Sequence, residues 1–273
     1  PSWIVFIPGV VPGLHLAARR LVPPAGDALL PVPVYHHFSR AVGLAPRAFT
    51  EMHLVLENGR WVFDLDEIRR HAASSGFFLW NPQNPGGTAF RRAELQRIAQ
   101  ATRAMTIVSA EIHCDLVLEP GLRHVPIASL SPEISRRTVT LMSATKAFNF
   151  PGAGCAWAIA EDPTFREAFA AEMRVHLLPS PSVFGYEATL AAYRGGEAWL
   201  SQLMDYLKGN RELVEAGLSL PMARVEATYL AWLDCRALNV GGSPFEFFLD
   251  KAKVGLMEGG NFGEAGVGCV RVN

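Results

Sequence analysis

No sign of charge dominates this chain: 25 lysines and arginines face 26 aspartates and glutamates, a net charge of −1 over 273 residues. That balance excludes an electrostatic nucleic-acid binder and a polybasic membrane module. Charge is also scarce, 19% of residues against about 25% in a typical soluble domain, which points to extra buried surface in an α/β core or a subunit interface. Four cysteines, Cys114, Cys155, Cys235 and Cys269, are widely spaced with no C-x-x-C pair. They build neither a zinc framework nor a disulfide scaffold and suit a reducing, cytoplasmic setting. The longest apolar run, around 153–160, falls far short of the ~18 residues a membrane span needs. Repeats and low-complexity tracts are missing. So are a Walker sequence and the third glycine of a dinucleotide fingerprint, because Trp157 stands at that place after Gly152-Ala153-Gly154; nucleotide binding has no support. The opening residues do not read as a charged leader with a cleavage site. The chain starts at Pro1 without Met, directly on strand-like Trp3-Ile4-Val5-Phe6-Ile7, as a piece of a longer protein would.

What is present is alternation. Apolar runs at 3–7, 52–56, 76–80, 105–108, 138–142 and 156–160 read as strands. Amphipathic stretches at 13–21, 65–73 and 92–103 read as helices between them. Runs buried on both faces and alternating with helices predict a mostly parallel sheet. Beyond residue 162 the pattern becomes helical, at 162–174 and at 183–216 with an interruption at Gly195-Gly196. It ends with strands at 228–233 and 268–272 around a helix near 244–252. The expected architecture is a large α/β domain, 1–203, followed by a small, incomplete α+β domain, 204–273.

Ligands of open parallel sheets sit at the carboxyl ends of strands, so the polar residues after each apolar run matter most. The first run is followed by Pro8-Gly9-Val10-Val11-Pro12-Gly13, an ordinary turn or an anion cradle at a helix start. The run at 76–80 leads into Asn81-Pro82-Gln83-Asn84-Pro85-Gly86-Gly87, a rigid turn able to hold one amide in a fixed orientation. The run at 105–108 leads into Ser109-Ala110-Glu111-Ile112-His113-Cys114-Asp115. The run at 138–142 leads into Ser143-Ala144-Thr145-Lys146, with aromatic and apolar residues behind it. A lysine in such surroundings is a candidate for a depressed pKa and Schiff-base chemistry; a lone lysine is otherwise a solvated surface charge.

Taken in order, Gly9-Val10, Tyr35, Asn84-Pro85-Gly86-Gly87, Glu111-Ile112-His113, Ser143-x-x-Lys146 and Arg271 resemble the fold-type-I pyridoxal-phosphate enzymes of aminotransferase class I/II. They resemble most closely the carbon–sulfur β-lyase branch, the cystathionine β-lyase relatives of the MalY/PatB kind. The stretches Pro179-Ser180-Pro181-Ser182-Val183, Tyr229-Leu230-Ala231-Trp232-Leu233-Asp234 and Gly260 to Gly263 fit that branch as well, so the likeness spans the whole chain. The family also has an N-terminal arm and a last helical part of the small domain, which this chain lacks. The resemblance implies that Lys146 holds pyridoxal 5′-phosphate covalently and then works as acid and base at the substrate's Cα and Cβ. It implies that Ser143 and the Gly9-Val10 amides bind the phosphate, that Tyr35 stacks on the pyridine ring, and that Asn84 and His113 approach the ring hydroxyl. Arg271, by itself a plain strand residue, would clamp the substrate carboxylate. A homodimer with the active site near the subunit boundary is implied too.

One position departs from the family pattern. Where the family has an aspartate before Glu-Ile-His, paired with the protonated pyridine nitrogen, this chain has Ala110. Loss of that partner weakens the electron sink. Glu111 faces the other way in a strand, and Asp115 reaches the ring only if the chain bends. A different nitrogen partner such as water, a weakened or regulatory homologue, and a sequence-level change all remain open at this stage. The expected function is a pyridoxal-phosphate carbon–sulfur β-lyase acting on cystathionine or cysteine S-conjugates, with an aminotransferase as the alternative on the same scaffold. Ser143-x-x-Lys146 also matches the acylating motif of penicillin-interacting enzymes, but that motif expects a helix start and S-D-N and K-T-G partners, and the chain contains neither partner.

Overall fold

The computed structural model describes residues 2–45 and 47–273. In chain order the large sheet and its helices are β1 (Ile4–Ile7), α1 (Val10–Leu21), β2 (Asp27–Val32), α2 (His36–Gly43), β3 (Ala48–Glu57), β4 (Arg60–Phe63), α3 (Leu65–Arg70), β5 (Gly76–Trp80), α4 (Arg92–Ala101), β6 (Thr106–Ala110), α5 (Pro132–Arg136), β7 (Thr138–Met142), β8 (Ala156–Ala160) and α6 (Pro163–Val175). Two long helices follow, α7 (Val183–Gly195) and α8 (Glu197–Gly217). A second layer then forms from β9 (Ala231–Asp234), α9 (Pro244–Phe247), β10 (Met257–Glu258) and β11 (Cys269–Val272).

The eight-stranded sheet runs β1-β8-β7-β6-β5-β2-β3-β4. Its centre, from β7 through β6, β5 and β2 to β3, is parallel, while β1, β8 and β4 are antiparallel to their neighbours. The runs read as continuous are buried on both faces: Phe78, Trp80, Val108, Ala110, Val139 and Leu141 join α1 and α2 in one apolar cluster. Phe77, Leu79 and Ile107 join α4 in the other. Each large side chain so buried contributes about 1.5–3 kcal/mol. That sandwich pins the carboxyl ends of β5, β6 and β7 to one rim, from which the loops carrying Asn84, His113 and Lys146 leave.

Helix ends follow local chemistry. Asp162 caps α6 by accepting from Thr164 N at 2.8 Å, with Pro163 in its first turn, and Ser182 caps α7 by accepting from Gly185 N at 3.1 Å. Gly196 separates α7 from α8 where the glycine pair interrupts the pattern. The division expected after residue 203 falls inside α8, which runs unbroken to Gly217. The second sheet, β10-β11-β9, is wholly antiparallel. No described helix is long and apolar enough to cross a membrane.

Candidate active site

The Pro8–Gly13 turn does open a helix. Gly9 is the N-cap of α1, with extended backbone (φ 174°, ψ 164°), and Gly13 N makes the intrahelical bond to Gly9 O at 3.1 Å. The amides before it belong to the unsatisfied first turn, where the helix dipole favours an anion. Pairing of Ile7 with Ala156 lays this turn beside Gly154-Cys155. The Cys155 carbonyl accepts the Ser143 hydroxyl at 2.6 Å, and Thr145 N donates to Ser143 Oγ at 3.2 Å. Ser143 therefore stands next to the Gly9 turn with its hydroxyl engaged by backbone. The segment 143–149 is a turn after β7 rather than a helix start, which removes the structural context that an acylating serine requires.

The asparagine loop is rigid for reasons visible in its bonds. Asn81 Nδ2 donates to Val125 O at 3.1 Å, Phe90 N donates to Asn81 Oδ1 at 3.1 Å, and Gln83 Nε2 donates to Pro33 O at 2.9 Å. Glycine is needed at its turn: a Cβ on Gly86 would lie 2.1 Å from Trp61 Cδ1, and Gly87 adopts φ +75°. A buried carboxylate, Glu226, fastens the far end by accepting from Ala89 N, Arg60 Nε and both terminal nitrogens of Arg91.

These supports present Asn84 to the second sheet. Arg271 on β11 donates from Nη1 to Asn84 Oδ1 at 3.1 Å, across 187 positions of sequence. Its guanidinium carbon lies 5.5 Å from the centroid of Tyr35 and 5.0 Å from that of Phe262, a cation–π seat that fixes the fork without a counter-ion. Tyr35 is the N-cap of α2 and packs against both the sheet cluster and the small-sheet cluster. His113 is buried and sits edge-on to Tyr229, with ring centroids 5.9 Å apart.

The electrostatics are one-sided. Burial, then the charges of Lys146 and Arg271, push His113 down to about 3, so it is a neutral imidazole at working pH. Burial and the Arg271 charge hold the Lys146 amine below the usual lysine range. Among the described residues, Lys146 Nζ makes no hydrogen bond or ion pair, and Arg271 Nε is buried without a partner. A partly buried rim carrying an arginine, a lysine and a neutral histidine, none of them paired with an acid, suits an anionic ligand. The hydrogen-bonding capacity left unspent fits a phosphate- and carboxylate-bearing group.

The acids near Ala110 are committed elsewhere. Glu111 is fully buried on the opposite side of β6, accepting from Ser109 Oγ at 2.7 Å and paired with His124 Nε2 at 2.7 Å. Asp115 accepts from Tyr193 Oη at 3.4 Å. Two residues given no site role from sequence also shape the rim. Tyr229 is aimed by Thr228, whose φ of +74° is accompanied by a bond from Thr228 N to Leu116 O at 2.8 Å. Phe262 lies beneath Arg271. In sequence both lie in stretches that fit the C–S lyase branch, but nothing local assigned either one a role.

The neutral His113 gives a prediction. Its unfolded pKa is about 6.5 and its folded value about 3, so its contribution to stability is complete above pH 6.5 and is lost as pH falls toward 3. Over that window the loss is at most about 5 kcal/mol. Urea midpoints measured between pH 7 and 4 should fall more steeply in the wild type than in His113→Gln; equal slopes would contradict the assignment.

One rim of a mostly parallel sheet thus brings together an unpaired lysine, the free amides of a helix start and a half-buried arginine from a second sheet. The sequence matches the family described as aminotransferase class I and II over residues 1–273, and the chain belongs to that family. It is 32% identical to cystathionine beta-lyase PatB of Bacillus subtilis, over 100% of this chain and 73% of the relative. Among solved structures, OvoB superposes with a TM-score of 0.92 at 39% identity, covering 100% of this chain and 73% of that one. Cystalysin of Treponema denticola, whose structure contains pyridoxal 5′-phosphate, superposes with a TM-score of 0.93 at 28% identity, covering 100% and 72%.

Proposed function

We propose that this protein is a pyridoxal-phosphate-dependent carbon–sulfur β-lyase that cleaves cystathionine or related cysteine S-conjugates to a thiol, pyruvate and ammonia. The observation that carries the reading is the unpaired Lys146 amine, held below the usual lysine range on a rim shared with His113 and Arg271. Similarity to relatives named cystathionine beta-lyase supports the substrate class.

Pyridoxal phosphate, when bound, supplies an aldehyde carbon onto which amines condense and a ring that accepts electrons from Cα. The chain's residues do the rest. The α1 amides at Gly9 and Val10 would hold the phosphate, joined by Ser143 once its hydroxyl turns away from the Cys155 carbonyl, and Tyr35 would lie against the ring. Asn84, itself held by Arg271, and neutral His113 meet the ring hydroxyl. Arg271 clamps the substrate carboxylate with its planar fork. Lys146 Nζ, uncharged at lower pH than an ordinary lysine, takes the Cα proton and returns it to the departing sulfur. Phe262 and Tyr229 keep water from the rim.

The chain works as a homodimer in this reading. Val175, Leu177, Val183, Phe184 and Leu213 are exposed, each more than two-thirds open to solvent, an apolar excess that a second subunit would cover. A cytoplasmic location accords with four free cysteines.

Incubation with cystathionine and pyridoxal phosphate, without any keto acid, tests the activity. Release of thiol and pyruvate in equal amounts is expected. Turnover that appears only when a keto acid is added would assign an aminotransferase instead.

A further inference from the structure

We propose that Trp80, through its indole Nε1–H, makes the hydrogen bond to the ring nitrogen of bound pyridoxal phosphate that no acid of this chain is placed to make. The proposal rests on the cofactor reading above and deepens it.

Ala110 ends β6 with a buried methyl group that can pair with nothing. Glu111 is spent on Ser109 and His124, and Asp115 lies five positions on, beyond the end of β6, accepting from Tyr193. The side chain in direct register with Ala110 is Trp80, its partner across the parallel β5–β6 ladder. Paired residues of parallel strands point to the same face, and both belong to the cluster that includes Val10 and Phe38 and against which Tyr35 packs. Trp80 is 5% exposed, and its Nε1 is buried with no hydrogen-bond partner.

A buried N–H without an acceptor leaves its desolvation uncompensated and is rare in native structures. Indole donates only. An unprotonated pyridine nitrogen only accepts, so the two are complementary. The indole is seated for this, 4.7 Å from Phe38 and 6.2 Å from Phe78 between ring centroids, while Phe38 lies 6.0 Å from Tyr35. Trp80 thus continues the aromatic wall that Tyr35 begins. Water is a poor substitute partner, because Ala110, Phe38 and Leu141 offer it no further bonds. Three other ring nitrogens are buried without a partner among the described residues: His36 Nδ1, on a ring against His37 and Phe262; Trp61 Nε1, on a ring against Gly86; and His124 Nδ1, on a ring bonded to Glu111, which faces away from Ala110.

An indole does not surrender its proton, so the ring nitrogen stays neutral and stores less of the charge drawn from Cα. Elimination, in which that electron pair leaves with the Cβ sulfur, is penalised less than transamination, in which it must rest on the ring. The Trp80–Ala110 pair therefore biases the site toward lyase chemistry.

The test is NMR on the full chain with two labels: indole ¹⁵N in its six tryptophans and ¹⁵N in the ring of added pyridoxal phosphate. On binding, the Trp80 indole proton, identified by its absence in Trp80→Phe, should move downfield. The ring nitrogen should resonate as unprotonated, shift slightly in Trp80→Phe, and shift by the full extent of protonation in Ala110→Asp. Bound cofactor with an unmoved Trp80 indole overturns the proposal. So does a ring nitrogen already protonated in the wild type, a result that stands even if Trp80→Phe does not fold. A cofactor resonance that never shifts on the protein strikes the cofactor reading itself, and this proposal with it.

Discussion

Lys146→Ala lowers cystathionine turnover by about 10³-fold or more while leaving thermal stability unchanged or slightly raised. The two halves of that expectation come from the same observation. The amine has no hydrogen-bond or ion-pair partner among the described residues, and its burial disfavours its charge, so its removal relieves desolvation instead of breaking a contact. A lysine retained only for structure would behave in the opposite way, with Tm falling and residual activity tracking the folded fraction. Calorimetry on the coenzyme-free protein and a pyruvate assay on the same protein after coenzyme is added separate the cases. Residual activity within tenfold of the wild type would remove Lys146 from the chemistry.

Arg271→Ala is expected to lower kcat/KM by about 100-fold or more, on the order of 3 kcal/mol, chiefly through KM. Arg271→Lys should recover only part of the loss, because an ammonium cannot reproduce the bidentate fork. Arg271 also donates to Asn84 and stacks on Phe262 and Tyr35, so its loss could act through the loop alone. A substrate analogue lacking the α-carboxylate distinguishes these routes. It should be processed equally poorly by wild type and variant if the arginine binds that group. If the arginine only braces the loop, the analogue should suffer the same 100-fold loss as the full substrate.

The architecture was legible where an unbroken apolar run forms the strand. The runs 76–80, 138–142 and 156–160 coincide with β5, β7 and β8, and the glycine pair at 195–196 marks the junction of α7 and α8. The elements not anticipated have weak local signals. Pro31 interrupts the apolar run of β2, a place where proline usually marks an edge or a break. The eight-residue α2 is too short for a helical period to show, and β4 is a four-residue edge strand with mixed burial. Lys146 was legible as a candidate because apolar and aromatic residues surround it in sequence. Its electrostatic dependence on Arg271, and the bond from Arg271 to Asn84, arise only when the second sheet folds over the rim, which no local pattern reports. The same holds for Trp80. In sequence it ends an apolar run, and only the β5–β6 register pairs this residue, with its unpaired N–H, with Ala110 on the neighbouring strand.

The central claim is that a single amine holds the coenzyme, and the chain has four lysines, Lys146, Lys208, Lys251 and Lys253. Borohydride treatment of the protein with pyridoxal phosphate, followed by digestion and mass spectrometry, asks which of them becomes covalently linked. The account predicts one coenzyme per chain, on the peptide carrying Lys146, with the other three unmodified. A label spread over Lys208, Lys251 and Lys253, or none at all, would contradict it.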